Sequence, residues 1–160
     1  MTAKSHKETR DTAGAKERHA IMPGSFNPFT IGHMSMLERA MTLFDRITIV
    51  IGINSSKTAG DLEGRVAQVR DAVAHIPGVD VMTWNGLTVD LARELGVQHM
   101  VRGARTAADW EYEYNLATVN RTIAGIETVI IPTLPEHAAI SSSVVRELQH
   151  YGRDASQFLP

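Results

Sequence analysis

Short apolar runs alternate with segments of helical periodicity along most of the chain. Residues 47–51 are almost all β-branched and apolar, as expected for a strand that is covered on both faces. Met34, Leu37 and Met41 instead follow the three-to-four-residue spacing of an amphipathic helix. The whole pattern predicts strands at 19–22, 47–51, 79–84, 99–101 and 128–131, and helices at 34–44, 62–73, 89–95, 107–123 and 142–151.

A strand that repeatedly alternates with a helix predicts an α/β fold. The expected form is a doubly wound, Rossmann-like, five-stranded parallel sheet with helices on both faces. Residues 19–160 would form this single domain. Because ligands of such sheets bind beyond the carboxyl ends of the strands, polar residues that follow strands are the first candidates for a site.

The first 18 residues differ from the rest in composition. They are rich in Ser, Thr, Lys, Glu and Gly and contain no apolar run, which predicts a disordered N-terminal extension and not a signal peptide. Five of the 16 basic residues and three of the 18 acidic residues precede His19, so the predicted domain is mildly acidic.

Composition excludes several classes of protein. The chain of 160 residues has no cysteine, which excludes disulfide scaffolds, cysteine-ligated zinc and thiol nucleophiles. A formal net charge of −2 argues against a broad nucleic-acid-binding face. No stretch of 18 uninterrupted apolar residues occurs, so we expect no membrane span and a cytoplasmic location.

The loop after the first predicted strand carries the strongest chemical signal. It reads Gly-Ser-Phe-Asn-Pro-Phe-Thr-Ile-Gly-His over residues 24–33 and ends at a helix start. A helix N-terminus offers free N–H groups and positive dipole charge, which suits a phosphate, and His33 could donate a further hydrogen bond to it. The loop lacks the Lys-[Ser/Thr] ending of a Walker motif.

Other candidate phosphate ligands follow later strands. Lys57 follows the second strand, and Arg102 and Arg105 flank a glycine after the fourth. Guanidinium groups can bind phosphates with two hydrogen bonds each. The alternative is that the lysine is merely solvated and that the arginines form salt bridges with Glu111 or Glu113.

Several of these segments together resemble one known group of enzymes. Residues 24–33 resemble the signature of the nucleotidylyltransferase superfamily, and Thr30 with Gly32 and His33 resembles its phosphopantetheine adenylyltransferase family. The I-S-S-S run at 140–143, R-G-x-R at 102–105 and D-W-E-Y-E at 109–113 are similar to further motifs of that family. The terminal F-L-P at 158–160 also matches, so the resemblance extends from about residue 20 to the end of the chain.

The resemblance implies an activity and its partners. Such an enzyme transfers AMP from ATP to 4′-phosphopantetheine, with Mg²⁺, and releases dephospho-CoA and pyrophosphate during coenzyme A biosynthesis. It also implies a homohexamer and feedback by CoA. No residues are singled out as metal ligands.

The resemblance assigns roles to matching positions. The catalytic set is His33, Lys57, Arg105 and Ser142. The ATP-binding set is Ser25, Phe26, His33, Gly103, Ala104, Arg105, Glu113, His137, Ala138, Ala139, Ile140, Ser141, Ser142 and Ser143. The set for the second substrate is Ser25, Lys57, Leu87, Thr88 and Arg102.

Two departures from the family pattern leave alternatives open. Asn27 stands where the family usually has Asp, and His137-Ala138-Ala139 replaces aromatic residues expected near adenine. A related enzyme, such as a nicotinamide mononucleotide adenylyltransferase or a glycerol-phosphate cytidylyltransferase, is one alternative. A non-catalytic nucleotide-binding module is the other.

Overall fold

The computed structural model describes residues 16–53 and 61–160, and its centre is a parallel sheet. The five strands are β1 (His19–Gly24), β2 (Arg46–Gly52), β3 (Val79–Trp84), β4 (His99–Ala104) and β5 (Glu127–Pro132). Their order is β3-β2-β1-β4-β5, and every neighbouring pair is parallel. This confirms the predicted doubly wound sheet.

Five helices connect or follow the strands and cover both faces of the sheet. They are α1 (Ile31–Ala40), α2 (Leu62–Val73), α3 (Thr88–Glu94), α4 (Ala107–Ala124) and α5 (Ser142–His150). Short 3₁₀ turns occupy Pro135–His137 and Ser156–Phe158. The two-residue alternation of the strands sorts the apolar side chains into two cores. Ala20 and Met22 pack with α1 and α2, whereas Ile21 between them packs with α3.

The helix starts follow rules that can be read from the sequence. Asp61 caps α2, accepting a hydrogen bond of 2.8 Å from the Gly64 N–H, and Asp is among the residues preferred at this position. A Cβ atom on Gly64 would lie 2.0 Å from the Asp61 carboxylate, so the absence of a side chain there suits this tight cap. The long helix α4 ends at Gly125, whose φ of 68° is the left-handed conformation that favours glycine.

One boundary differs in a way that matters for the site. Strand β4 was predicted to end at Val101 but continues to Ala104 alongside β5. Arg102 and Gly103 therefore lie within a strand and not in the loop that the sequence predicted. The apolar pattern ends at Val101, because Arg102 is charged and glycine is depleted in strands. Gly103 is suited to this place because a Cβ there would lie 2.7 Å from the Met36 sulfur.

The sheet splits along its middle. Backbone pairing between β1 and β4 covers only Ala20 with His99 and Ile21 with Met100. On their outer sides both strands stay paired for longer, β1 with β2 as far as Gly24 and β4 with β5 as far as Ala104. The carboxyl halves of the two central strands therefore diverge and leave a gap between them.

The amino end of the described fold is anchored at Arg18. Its side chain and backbone N–H both donate to the Asp45 carboxylate, at 2.7–3.2 Å. Arg18 is one of three described residues, 16–18, that the sequence assigned to the extension, and residues 1–15 lie outside the described residues. No helix in the described part of the chain is long and apolar enough to cross a membrane.

We predict that Gly78→Ala destabilises the fold more than Gly96→Ala. Both glycines have positive φ, of 81° and 64°, which costs an alanine about 1 kcal/mol. A Cβ on Gly78 would also lie 2.5 Å from the Asp45 carbonyl oxygen. A Cβ on Gly96 would have no neighbouring atom within 4 Å. Urea unfolding should show a loss of about 1 kcal/mol for Gly96→Ala and at least about 2 kcal/mol for Gly78→Ala. Equal losses would contradict the steric contribution.

Candidate active site

A cleft of about 350 Å³ opens where β1 and β4 diverge. This is the point at which the strand order reverses, the usual ligand position in doubly wound sheets. It brings together eleven of the predicted site residues: Ser25, Phe26, His33, Arg102, Gly103, Arg105, His137, Ile140, Ser141, Ser142 and Ser143.

The β1–α1 loop forms one wall and depends on a buried aromatic ring. Phe26 is 3% exposed and has a φ of 44°, an uncommon left-handed conformation for a residue with a side chain. Its ring lies beneath Gly24, where a Cβ would come within 2.9 Å of the ring carbon Cζ. Phe26 also packs against Phe29 and His33, with ring centroids 5.5 and 5.1 Å away. This packing turns the loop back over the end of β1.

His33 is held in one orientation by the cap of α1. Thr30 accepts a hydrogen bond from the His33 N–H, and the Thr30 N–H donates in return to the His33 Nδ1 atom at 3.0 Å. Because Nδ1 accepts a backbone hydrogen bond, the proton of the neutral ring lies on Nε2. His33 therefore supplies an N–H donor to the cleft.

The surroundings of His33 keep its ring uncharged. Burial, followed by the nearby positive charges of Arg105 and Arg102, lowers its pKa to about 4. At neutral pH the imidazole is thus a hydrogen-bond donor without a charge of its own.

Arg102 crosses the gap between the two diverging strands. Its Nη1 donates to the Pro23 carbonyl of β1 at 2.7 Å. Its Nε and Nη2 donate to the two carboxylate oxygens of Glu113 on α4, at 2.8 and 2.6 Å. The salt bridge that the sequence offered as an alternative thus exists for Arg102, with Glu113 as the partner.

Arg105 lies at the mouth of the cleft with looser contacts. Its Nε is 3.4 Å from the Asp109 carboxylate, and its Nη1 is 3.4 Å from the Ile140 carbonyl oxygen. The side chain is exposed, so it can turn toward a ligand.

The start of α5 forms the opposite wall and is tied to the β1–α1 loop. Ser141 caps the helix, and the Ser142 hydroxyl donates to the Pro28 carbonyl at 2.8 Å. Arg146, one turn further along, donates to the Asn27 carbonyl and to the Ser143 hydroxyl. These contacts fix the position of α5 relative to the loop.

Arg146 is the main cleft residue that the sequence analysis did not single out. It lines the cleft together with Arg102 and Arg105. The available signal was its spacing, since residues 142 and 146 are four apart and share a helix face. None of the residues that line the cleft is Asp or Glu, so this part of the described chain is suited to an anion.

Six predicted site residues do not line the cleft, and a seventh is outside the described residues. Ala104, Glu113, Ala138 and Ala139 lie beside it, Glu113 being buried behind Arg102. Leu87 and Thr88 lie at the start of α3, where the Leu87 carbonyl accepts a hydrogen bond from Trp84. Lys57 falls in residues 54–60, outside the described ranges.

His137 occupies the side of the cleft near the start of α1. It is partly buried, and its Nδ1 atom has no hydrogen-bond partner. The two alanines that follow are exposed. The segment therefore presents a single imidazole ring where the family that the sequence resembles usually has two aromatic residues.

Comparisons with known proteins identify the class to which this fold and cleft belong. The sequence model of the cytidylyltransferase-like family matches residues 21–148, which include both walls of the cleft. A proposed nicotinate-nucleotide adenylyltransferase from Vibrio parahaemolyticus superposes with a TM-score of 0.65 at 18% identity, covering 90% of this chain and 87% of that one. This is the nucleotidyltransferase fold.

Curated relatives indicate which family of nucleotidyltransferases the chain belongs to. Phosphopantetheine adenylyltransferases from Bacteroides thetaiotaomicron and Bacteroides fragilis are 48% and 46% identical over 89% of this chain and 95% and 96% of theirs. The one from Porphyromonas gingivalis is 46% identical over 91% of this chain and 95% of its own. The chain belongs to the phosphopantetheine adenylyltransferase family, which confirms the resemblance seen in the sequence.

We predict that the His33 ring stays neutral at pH values well below those at which an ordinary histidine is protonated. Its pKa of about 4 in the folded state is lower than the 6.5 of an unperturbed histidine. The unfolded chain therefore binds more protons between these values. The contribution of His33 to stability is complete above about pH 6.5 and is lost as the pH falls toward 4. NMR titration of ¹⁵N-labelled histidine should show an Nε2-protonated ring with a midpoint near pH 4. A midpoint near 6.5, as in the urea-unfolded chain, would contradict the buried site.

Proposed function

We propose that this chain transfers the adenylyl group of ATP to 4′-phosphopantetheine, which gives dephospho-CoA and pyrophosphate. The observation that carries the proposal is a cleft with three arginines, one neutral imidazole donor and no carboxylate in its lining. The names of the curated relatives supply the substrate class.

The reaction needs no covalent enzyme intermediate. An oxygen of the phosphopantetheine phosphate attacks the α-phosphorus of ATP, a new P–O bond forms, and the bond to the β-phosphate oxygen breaks as pyrophosphate leaves. A phosphate monoester is largely a dianion at pH 7, since its second pKa is about 6, so no general base is required. Catalysis then consists of positioning and of stabilising charge in the transition state.

His33 has the central role in this proposal. Its Nε2–H would donate to an α-phosphate oxygen as negative charge develops there. At physiological pH the ring does not carry the second, imidazolium proton, because its pKa is about 4, so His33 acts as a hydrogen-bond donor and not as a general acid.

Other cleft residues would hold the two substrates. Ser25 and Phe26 would offer backbone N–H groups, and Arg105, with the start of α5, would hold the β- and γ-phosphates. Arg146 lies in the same wall and adds a third cation. Arg102 and Lys57 would bind the phosphate of phosphopantetheine, and Leu87 and Thr88 its pantetheine arm.

Mg²⁺ would arrive bound to the phosphates of ATP and would not be held by a cluster of protein side chains. The described residues contain no group of three or more His, Cys, Asp or Glu side chains that could hold a metal ion. We therefore assign no chain residue as a metal ligand and derive no step through a protein-bound metal.

The adenine side of the site is where an altered specificity would arise. His137, Ala138 and Ala139 replace the family's aromatic residues, while the cleft retains the phosphate-binding arginines. Because adenine belongs to ATP and not to the acceptor, this change bears on nucleotide binding, and we keep a non-catalytic nucleotide-binding module as the second candidate.

A product assay tests the proposed function. Incubation with ATP, Mg²⁺ and 4′-phosphopantetheine should yield dephospho-CoA by mass analysis, and a chelator should remove the activity. Parallel reactions with nicotinamide mononucleotide and glycerol phosphate test the alternatives. Tight ATP binding by calorimetry with no product from any acceptor would instead indicate a non-catalytic module.

We predict that His33→Ala lowers turnover by about 10²–10³-fold, the usual loss when one transition-state donor is removed. The matched control is His75→Ala, because His75 is exposed and lies outside the cleft. Steady-state kinetics should show the loss for His33→Ala alone, and thermal unfolding should show that both variants fold. Near-normal turnover by His33→Ala would contradict its role.

The finer expectations on assembly and regulation also belong to this proposal. Helix α4 exposes several large apolar side chains, and exposed apolar surface of this size favours association. These residues are Trp110, Tyr112, Tyr114, Val119 and Ile123. We predict a homohexamer, so sedimentation should give the mass of six chains, and a single-chain mass would contradict it. Feedback by CoA and a cytoplasmic location follow from the same family proposal.

A further inference from the structure

Helix α2 contacts the β1–α1 loop through the side chain of Arg65. Its Nη1 atom donates to the Ser25 carbonyl oxygen at 3.0 Å. The side chain is partly buried, and its Nε atom is shielded from solvent. Ser25 and Phe26 line the cleft, whereas Arg65 lines a separate hollow beside Asn27 and Pro28. Arg65 therefore holds the loop from the side that faces away from the cleft.

A second contact attaches the other end of the loop to the same helix face. Gln68 donates to the Phe29 carbonyl at 3.3 Å and accepts a hydrogen bond from the Phe29 N–H at 3.2 Å. Positions 65 and 68 are three apart and so share one face of α2. Because Gln68 holds Phe29 independently, the Arg65 hydrogen bond acts on the Ser25 peptide group alone.

The direction of the Ser25 carbonyl fixes the direction of the N–H group that follows it. The peptide bond between Ser25 and Phe26 is trans. In a planar trans peptide group the C=O and the N–H point in opposite directions. Since Arg65 holds the carbonyl oxygen on the side of α2, the Phe26 N–H points to the other side, toward the cleft.

The backbone of Phe26 does not favour this orientation by itself. Its φ of 44° is uncommon for a residue with a side chain. A half turn of the Ser25–Phe26 peptide plane would bring this φ to an ordinary negative value with little movement of the Cα atoms. It would also turn the carbonyl oxygen into the cleft, where its partial negative charge repels a phosphate. The hydrogen bond from the cationic Arg65 opposes that rotation.

We propose that Arg65 is a positioning residue that keeps the Ser25–Phe26 peptide group turned with its N–H toward the phosphates of ATP. This inference rests on the proposed function, in which the backbone N–H of Phe26 is offered to ATP. Arg65 itself touches neither substrate and acts through the peptide group.

The test removes the donor and examines the peptide group directly. Arg65→Met keeps an unbranched side chain but cannot donate a hydrogen bond. We expect the crystal structure of this variant without ligand to show the Ser25 carbonyl turned into the cleft and a negative φ at Phe26. Arg65→Lys keeps a cationic donor and should recover part of the wild-type orientation.

The two orientations also predict a particular pattern of binding and turnover. Because only the fraction with the N–H toward the cleft binds ATP well, the Kd for ATP by calorimetry should rise about tenfold in Arg65→Met. Saturating ATP draws the peptide group back, so kcat should stay within about threefold of the wild type. The KM for phosphopantetheine should change by less than about twofold, because the N–H of Ser25 belongs to the preceding peptide group.

Arg70→Met is the matched control, because Arg70 is an exposed arginine on the same helix and lines neither hollow. It should leave the peptide group, the affinity for ATP and the turnover unchanged. Thermal unfolding should show that Arg65→Met folds, since Gln68 still attaches α2 to Phe29.

Each outcome decides the inference. An unmoved Ser25 carbonyl in Arg65→Met, or an unchanged affinity for ATP, would overturn it. A lowered melting temperature with equal weakening of both substrates and no recovery in Arg65→Lys would also overturn it, and would show that Arg65 only supports the fold. If the wild type binds ATP but forms no dephospho-CoA, the proposed function fails, while the peptide orientation and the affinity for ATP still decide the role of Arg65.

Discussion

The divergence of β1 from β4 is the constraint on which the rest of the site depends. Parallel strands normally continue their ladder to the end, but here the pairing stops at Ile21 and Met100. Pro23 has no N–H to donate, so it cannot extend a ladder on that side. The side chain of Arg102 supplies the hydrogen bond that the Pro23 carbonyl lacks, and the space between the strands becomes the floor of the cleft.

The walls of that cleft are held by hydrogen bonds to backbone carbonyl groups. Ser142 and Arg146 bind the Pro28 and Asn27 carbonyls, and so fix α5 against the β1–α1 loop. Thr30 sets the orientation and the tautomer of His33 through the first turn of α1. A mildly acidic protein can therefore present a cleft suited to an anion, because a few cations and N–H donors converge there and none of the residues that line it is acidic.

The sequence predicts the architecture well because its apolar pattern is local. The β-branched run of β2 and the Asp61 cap of α2 are visible without any tertiary information. The end of β4 was missed because Arg102 and Gly103 are held there by pairing with β5 and by the contact of Arg102 with Glu113, which the local pattern does not show. Arg146 was missed for a related reason, since the Asn27 carbonyl that it binds lies about 120 residues away along the chain. Family motifs place Glu113 at the site, but only the fold shows which side chain it faces.

The multiple attachments of Arg102 affect how any truncation at that position should be interpreted. Removing the guanidinium group would leave the Pro23 carbonyl without a donor and the Glu113 carboxylate buried without a counter-ion. An alanine scan would thus combine lost ligand contact with damage to the framework, and would overstate the affinity that Arg102 contributes. One side chain thus supports the sheet and also lines the cleft, so a change in affinity at this residue cannot be separated from a change in stability.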